Sequence, residues 1–121
     1  MESIKQYNCF FQLATDIIGG KWKALVLWCL KDSIKRNGEL KRLIPNISQK
    51  MLTQQLRELE DSGIVLRIVY PEIPPKVEYK LTPMGEKLIP ILLDLHDWGK
   101  EYSKEKDVSL DSSNSKDLSC G

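Results

Sequence analysis

A chain of 121 residues, 41% hydrophobic and 29% charged, with a net charge of +1, has the make-up of one globular domain, because two separate cores would each fall near the size at which burial stops outweighing chain entropy. That composition excludes wholesale disorder and makes a multidomain enzyme an unexpected outcome. No apolar run approaches the ~20 residues needed to cross a bilayer, and Met1-Glu2-Ser3-Ile4-Lys5-Gln6 has neither a basic nor an apolar leader region, so a cytoplasmic location and no membrane partner are expected.

Phe10, Phe11, Leu13, Ala14, Ile17 and Ile18 make an apolar helical stretch that Gly19-Gly20 interrupts. Trp22, Leu25, Val26, Cys29 and Leu30 then recur at helical spacing, which predicts a second helix over about 21–31 with this face in the core. Asn37 is placed to cap a third helix over 38–44, with Leu40, Leu43 and Ile44 inward and Pro45 as its stop. Ser48 offers a hydroxyl to the free amides of a fourth helix over about 49–62, and Ile47 can staple onto Leu52. Leu52, Leu56 and Leu59 form its inward face, and Gly63 supplies the left-handed residue that lets Ile64 fold back onto Leu59.

Two β-rich runs, 65–70 and 77–81, flank Pro71-Glu72-Ile73-Pro74-Pro75-Lys76 and predict an antiparallel hairpin with a stiff tip. Alternation suggests Leu66, Ile68 and Tyr70 on the core side with Val77, Tyr79 and Leu81, leaving Arg67, Lys76 and Lys80 outward. Thr82-Pro83 begins a last helix. Its apolar residues Leu88, Ile89, Ile91, Leu92, Leu93, Leu95, Trp98 and Tyr102 exceed the one stripe a small monomer requires, so a second burying surface is expected; in the competing reading Pro90 splits the segment into two helices packed within the chain. The expected fold class is therefore mostly α with a β-hairpin wing, a winged helix-turn-helix domain over residues 1–106, followed by a Ser/Asp-rich flexible tail at 107–121.

The charge is segmental. Residues 35–80 carry nine basic and six acidic side chains, a net of +3, which leaves −2 for the rest. On the fourth helix the positions left outward or N-terminal are Ser48, Gln49, Lys50, Thr53, Gln54 and Arg57. All six can hydrogen-bond, and amide, guanidinium and ammonium groups are the ones that read base edges in a major groove. Arg36, Lys41, Arg42, Lys76 and Lys80 would flank such a duplex and meet its phosphates, while Glu58, Glu60 and Asp61 lie toward the far end of the helix. Double-stranded DNA is thus the expected partner. A protein-interaction module built on the same helix and hairpin is the alternative.

Cys9, Cys29 and Cys120 form neither an even framework nor a CxxC pair, so no metal and no cofactor are expected. Cys9 and the single His96 could be drawn as nucleophile and base, but nothing orients the imidazole and no phosphate-binding Gly-rich loop is present; an enzyme is not expected. Cys29 lies on the core stripe and Cys120 in the tail.

Ile17-Ile18-Gly19-Gly20-Lys21-Trp22-Lys23, Gly38-Glu39-Leu40-Lys41-Arg42, the run from Ile47 to Glu60, the wing from Tyr70 to Tyr79 and Leu81-Thr82-Pro83-Met84-Gly85 occur in the order in which similar motifs occur in the HxlR family of bacterial winged helix-turn-helix regulators, which the chain resembles from about residue 9 to 103. The resemblance implies a homodimer joined by N- and C-terminal helices, with two recognition helices on a pseudo-palindromic operator. The joining surface would combine Phe10, Phe11, Leu13, Ile17, Leu92, Leu95, Trp98 and Tyr102. Cys9 matches a position at which some relatives sense thiol-reactive compounds, with Phe10 standing where the family usually has proline; that makes a redox-sensing regulator a further alternative, beside a packed cysteine without regulatory chemistry.

Overall fold

The computed structural model describes residues 7–110; the expectations for Cys120 and most of the 107–121 tail lie outside them. Among the described residues six helices and three strands follow in the order α1 (Phe10–Ile18), α2 (Lys21–Leu30), β1 (Lys35–Arg36), α3 (Asn37–Leu43), α4 (Gln49–Asp61), β2 (Val65–Tyr70), β3 (Lys76–Leu81), α5 (Pro83–Glu86) and α6 (Ile89–Glu105). The sheet is antiparallel in the order β1-β3-β2. This is the expected winged helix-turn-helix, with one strand more than the hairpin alone.

The core lies where α2, α3 and α4 meet the root of the hairpin. Val26, Leu27, Cys29 and Leu30 come from α2, Leu40 and Ile44 from α3 and its end, Leu52, Leu56 and Leu59 from α4, Val65 and Leu81 from the sheet. Each such side chain contributes roughly 1.5–3 kcal/mol by leaving water. Leu27 is fully buried although the predicted stripe omitted it, while Trp22 and Leu25 are only half-buried. α2 is surrounded by α3, α4, β3 and α6, so it buries more than one stripe.

Three expectations need correction. The cap of α3 is Arg36, not Asn37: β1 pairs Lys35 with Tyr79 and Arg36 with Glu78, which keeps Arg36 extended (φ −91°, ψ 162°) and makes Asn37 the first helical residue. The Arg36 backbone N–H donates to the Glu39 carboxylate at 2.8 Å, the backbone-to-side-chain half of a capping box.

The register also changes which faces the hairpin shows. Val65 opposes Leu81, Arg67 opposes Tyr79 and Val69 opposes Val77, whereas Leu66, Ile68 and Tyr70 oppose Lys80, Glu78 and Lys76. Residues directly opposite share a face, so Val65 and Leu81, not Leu66 and Ile68, seal the core, and Arg67 lies on the face opposite Lys76 and Lys80. The two-residue alternation was right, but its phase on the first strand was off by one.

The last helix is two helices. Thr82 caps α5, accepting the Gly85 N–H at 3.1 Å. A continuous helix would need the Pro90 nitrogen to donate to the Glu86 carbonyl, which it cannot do, and the ring would strike that carbonyl. The chain turns at Lys87–Leu88 and restarts with Pro90 in the first turn of α6, where no intrahelical donor is required. The stop of α6 is Asp107 at φ 55°, with the Val108 N–H returning to the Ser103 carbonyl at 2.9 Å, so the first residues of the expected tail close the helix.

Candidate nucleic-acid interface

α4 begins as its sequence dictates. The Ser48 hydroxyl accepts the Met51 N–H at 3.0 Å, and Ile47 is buried beside Leu52. At the other end the Ile64 N–H reaches the Leu59 carbonyl and the Gly63 N–H the Glu60 carbonyl, both at 3.0 Å, around Gly63 at φ 77°. Those two bonds are the Schellman stop. With Leu52, Leu56 and Leu59 sealed inward, Ser48, Gln49, Lys50, Thr53, Gln54 and Arg57 are all exposed. The turn from α3 into α4 passes through Asn46 at φ 68°, a left-handed position that Asn tolerates better than most residues.

This polar face is partly ordered by its own bonds. Gln49 Nε2 donates to Thr53 Oγ1 at 3.0 Å and Gln54 Nε2 to Glu58 Oε2 at 3.1 Å. Glu58 in turn pairs with Lys23 of α2 at 2.7 Å. Lys23, then the Gln54 amide, hold the Glu58 carboxyl below its ordinary range. Helical spacing places Glu58 toward the far end of α4 but does not reveal Lys23, because no local spacing links residues on two different helices. Lys50 and Arg57 have no hydrogen bond or ion pair among the described residues.

A second cluster forms on the outer face of the sheet. Glu78 lies 4.0 Å from the Arg36 guanidinium and 3.8 Å from Lys76 Nζ, and accepts the Tyr70 hydroxyl at 2.9 Å. Lys76 Nζ sits 4.8 Å above the Tyr70 ring, and the carboxylate keeps the Tyr70 phenol protonated beyond its usual range. Two of the cations expected to flank a duplex therefore share one anion. Lys41 and Lys80 are exposed and unpaired among the described residues.

On the remaining surface Phe10 is 90% exposed, Phe11 76%, Leu95 59% and Trp98 62%, and Trp98 stacks on an exposed Tyr102 with ring centroids 5.3 Å apart. Leu13 and Ile17 are half-buried. Leu92, expected with them, is 4% exposed and belongs to the chain's own core, so it is withdrawn from the candidate joining surface. Ile91 and Leu93, counted above in the surplus apolar surface of the last helix but not in the joining surface, are also exposed. Cys9 is the exposed N-cap of α1, its sulfur accepting the Gln12 N–H at 3.4 Å. The His96 ring stacks on Trp28 at 5.1 Å beside Asp97. Among the described residues no group of three or more His, Cys, Asp or Glu could hold a metal ion, and no helix is long and apolar enough to cross a membrane.

Residues 17–107 match the family model described as HxlR-like helix-turn-helix. The chain belongs to this family. It is 53% identical over 103 residues to the HTH-type transcriptional regulator YkvN of Bacillus subtilis (strain 168), an alignment covering 85% of this chain and 87% of that one. An HTH-type transcriptional regulator of Methanothermobacter thermautotrophicus is also 53% identical, over 86% of this chain and 79% of its own length. Among solved structures, the redox regulator HypR in its reduced form superposes with a TM-score of 0.79 at 44% identity, covering 84% of this chain and all of that one. Its oxidised form superposes at 0.74 with 49% identity, over 77% of this chain and 96% of that one. The HxlR-like chain described here is thus a transcriptional regulator of the helix-turn-helix type.

Proposed function

We propose that this regulator binds double-stranded DNA sequence-specifically as a homodimer on a pseudo-palindromic operator, with α4 in the major groove and the β2–β3 wing on the backbone or minor groove. One observation carries the reading: Leu52, Leu56 and Leu59 turn fully inward and leave six hydrogen-bonding side chains, Ser48 to Arg57, exposed with no acid on the leading edge. Amide and cationic groups on an exposed helix N-terminal half suit base edges, and Lys41 and Lys80 suit the flanking phosphates. The exposed aromatic residues of α1 and α6 support self-association, since large apolar side chains left in water gain by being buried. The test is selection from random duplexes followed by titration of Arg57→Ala, which should weaken the selected operator by ~1–3 kcal/mol. Recovery of unrelated, asymmetric sequences would refute the reading.

A thiol-based variant of the same function is supported by Cys9, whose sulfur is exposed at the start of α1, and by the likeness to a redox regulator. Cys9→Ser would then bind DNA as wild type does under reducing conditions but ignore oxidant. Identical responses of both chains to oxidant would dismiss it.

A further inference from the structure

Resting on the groove-binding reading, we infer that Glu58, held by Lys23, is a specificity-determining positioning residue: it fixes the amide of Gln54 in the one orientation that presents an adenine-reading edge. An ionised carboxylate can only accept, so the group Gln54 turns toward Glu58 must be its nitrogen and not its oxygen. That bond uses one of the two amide hydrogens. The inference requires that this be the hydrogen anti to Oε1; the one left then lies on the same edge as Oε1, and together they offer a donor beside an acceptor, the complement of adenine N7 and N6 in the major groove.

An unrestrained glutamine amide turns broadly about its last torsion and would present either polarity. Gln49 shows the contrast. Its partner is the Thr53 hydroxyl, which both donates and accepts, so that contact does not dictate which way the Gln49 amide points. At Gln54 the choice is chemical, and it is made from outside α4. Lys23 belongs to α2, its side chain is only 15% exposed, and it grips the carboxylate at 2.7 Å. The same ion pair cancels the charge that Glu58 would otherwise bring toward phosphate. Because Lys23 and Gln54 hold the carboxyl below its ordinary range, it remains an acceptor throughout the neutral region. A side chain ordered before contact also gives up less conformational freedom on binding.

Full-length wild type, Gln54→Ala, Glu58→Gln, Lys23→Met and the Gln54→Ala/Glu58→Gln double variant are each titrated against the duplex that wild type selects from a random pool and against its single-base variants. Gln54→Ala should lose about tenfold preference at one A·T position in each half-site. Glu58→Gln, whose own amide accepts and donates alike, should lose preference at that same position while its affinity for an unrelated duplex stays level or rises. The double variant should show no further loss. Lys23→Met should relax the same position and reads the proposal independently should Glu58→Gln fail to fold by circular dichroism. The inference is overturned if Gln54→Ala relaxes a position that Glu58→Gln and Lys23→Met both preserve. It also falls if Gln54→Ala relaxes none, although DNA binding itself would then stand. Only a wild type that selects no sequence removes both.

Discussion

Raising the salt concentration is the perturbation that tests the candidate interface most directly, because its size can be worked from the pairing of each cation. Lys41, Lys50, Arg57 and Lys80 are exposed and unpaired among the described residues, whereas Arg36 and Lys76 share the Glu78 carboxylate. Counted as charges that displace condensed counterions, whether they end on a phosphate or on a base edge, the four unpaired cations of each protomer make roughly eight in the proposed dimer, and a slope of about −0.9 per charge gives a plot of log affinity against log salt falling at about −7. From about 50 to about 200 mM salt the affinity should therefore drop on the order of ten-thousandfold. Fluorescence anisotropy of a labelled operator at several salt concentrations measures this. Lys80→Ala should make the slope shallower by about 1 per protomer and weaken all duplexes alike. Glu78→Gln should steepen it, since it releases Arg36 and Lys76 from their shared anion. A wild-type slope shallower than about −3 would mean that these cations do not face DNA, and would favour a protein partner for this surface.

Other tests address the frame around the interface. Thr82→Val should cost about 1–3 kcal/mol in urea unfolding, since its hydroxyl donates to the Gly63 carbonyl at 2.6 Å and accepts the Gly85 N–H, while Thr82→Ser should restore most of this; equal losses in both variants would contradict the assignment. Glu58 has a folded-state pKa depressed below its ordinary 4.5, first by Lys23 and then by Gln54. Its contribution is therefore fully present above that value and is lost as pH falls through the lower folded one. The stability advantage of wild type over Glu58→Gln, measured by urea midpoints, should shrink between pH 7 and about pH 3; a constant difference would show that the carboxylate is not held as described. Trp98→Glu places a charge in the exposed aromatic pair of α6 and should shift the chain toward monomer in sedimentation equilibrium, with the operator bound more weakly; an unchanged dimer would exclude that face from the joining surface.

Local signals in the chain were legible where one residue type performs one backbone task. Ser48, Gly63 and Thr82 each sit at the cap or stop their chemistry predicts, and the Leu52-Leu56-Leu59 stripe is buried as its spacing requires. What escaped was set by tertiary pairing. The two residues of β1 are too few to show a period, and they form a strand because β3 lies beside them. The phase of β2 could not be read from alternation, because Leu66, Ile68 and Val69 are apolar on both faces and only the register with β3 decides which face turns inward. The same holds for the candidate interface: Gln54 and Arg57 were readable from helical spacing, whereas the Lys23–Glu58 and Arg36–Glu78 pairs join residues far apart in sequence.

These long-range ties bear on how such a regulator responds. The Thr82 backbone N–H donates to the Ile64 carbonyl at 3.0 Å and its hydroxyl to the Gly63 carbonyl, so the carbonyls just past the end of α4 are satisfied by the residue that ends β3 and caps α5. Gly85 completes the joint. It is buried, and a Cβ there would collide with the Ile64 carbonyl, which is why a residue without one stands at that point. α4, the wing root and α5 are therefore fastened to one another at this joint. α6 is attached differently, through Leu92 in the core and the stacking of His96 on Trp28 of α2. With each reading unit internally fixed, the variable open to regulation in the proposed dimer is the spacing between the two copies of α4, governed by how α1 and α6 pack across the joining surface. An effector that changes operator affinity would act on that distance, leaving the contacts within each unit as they are.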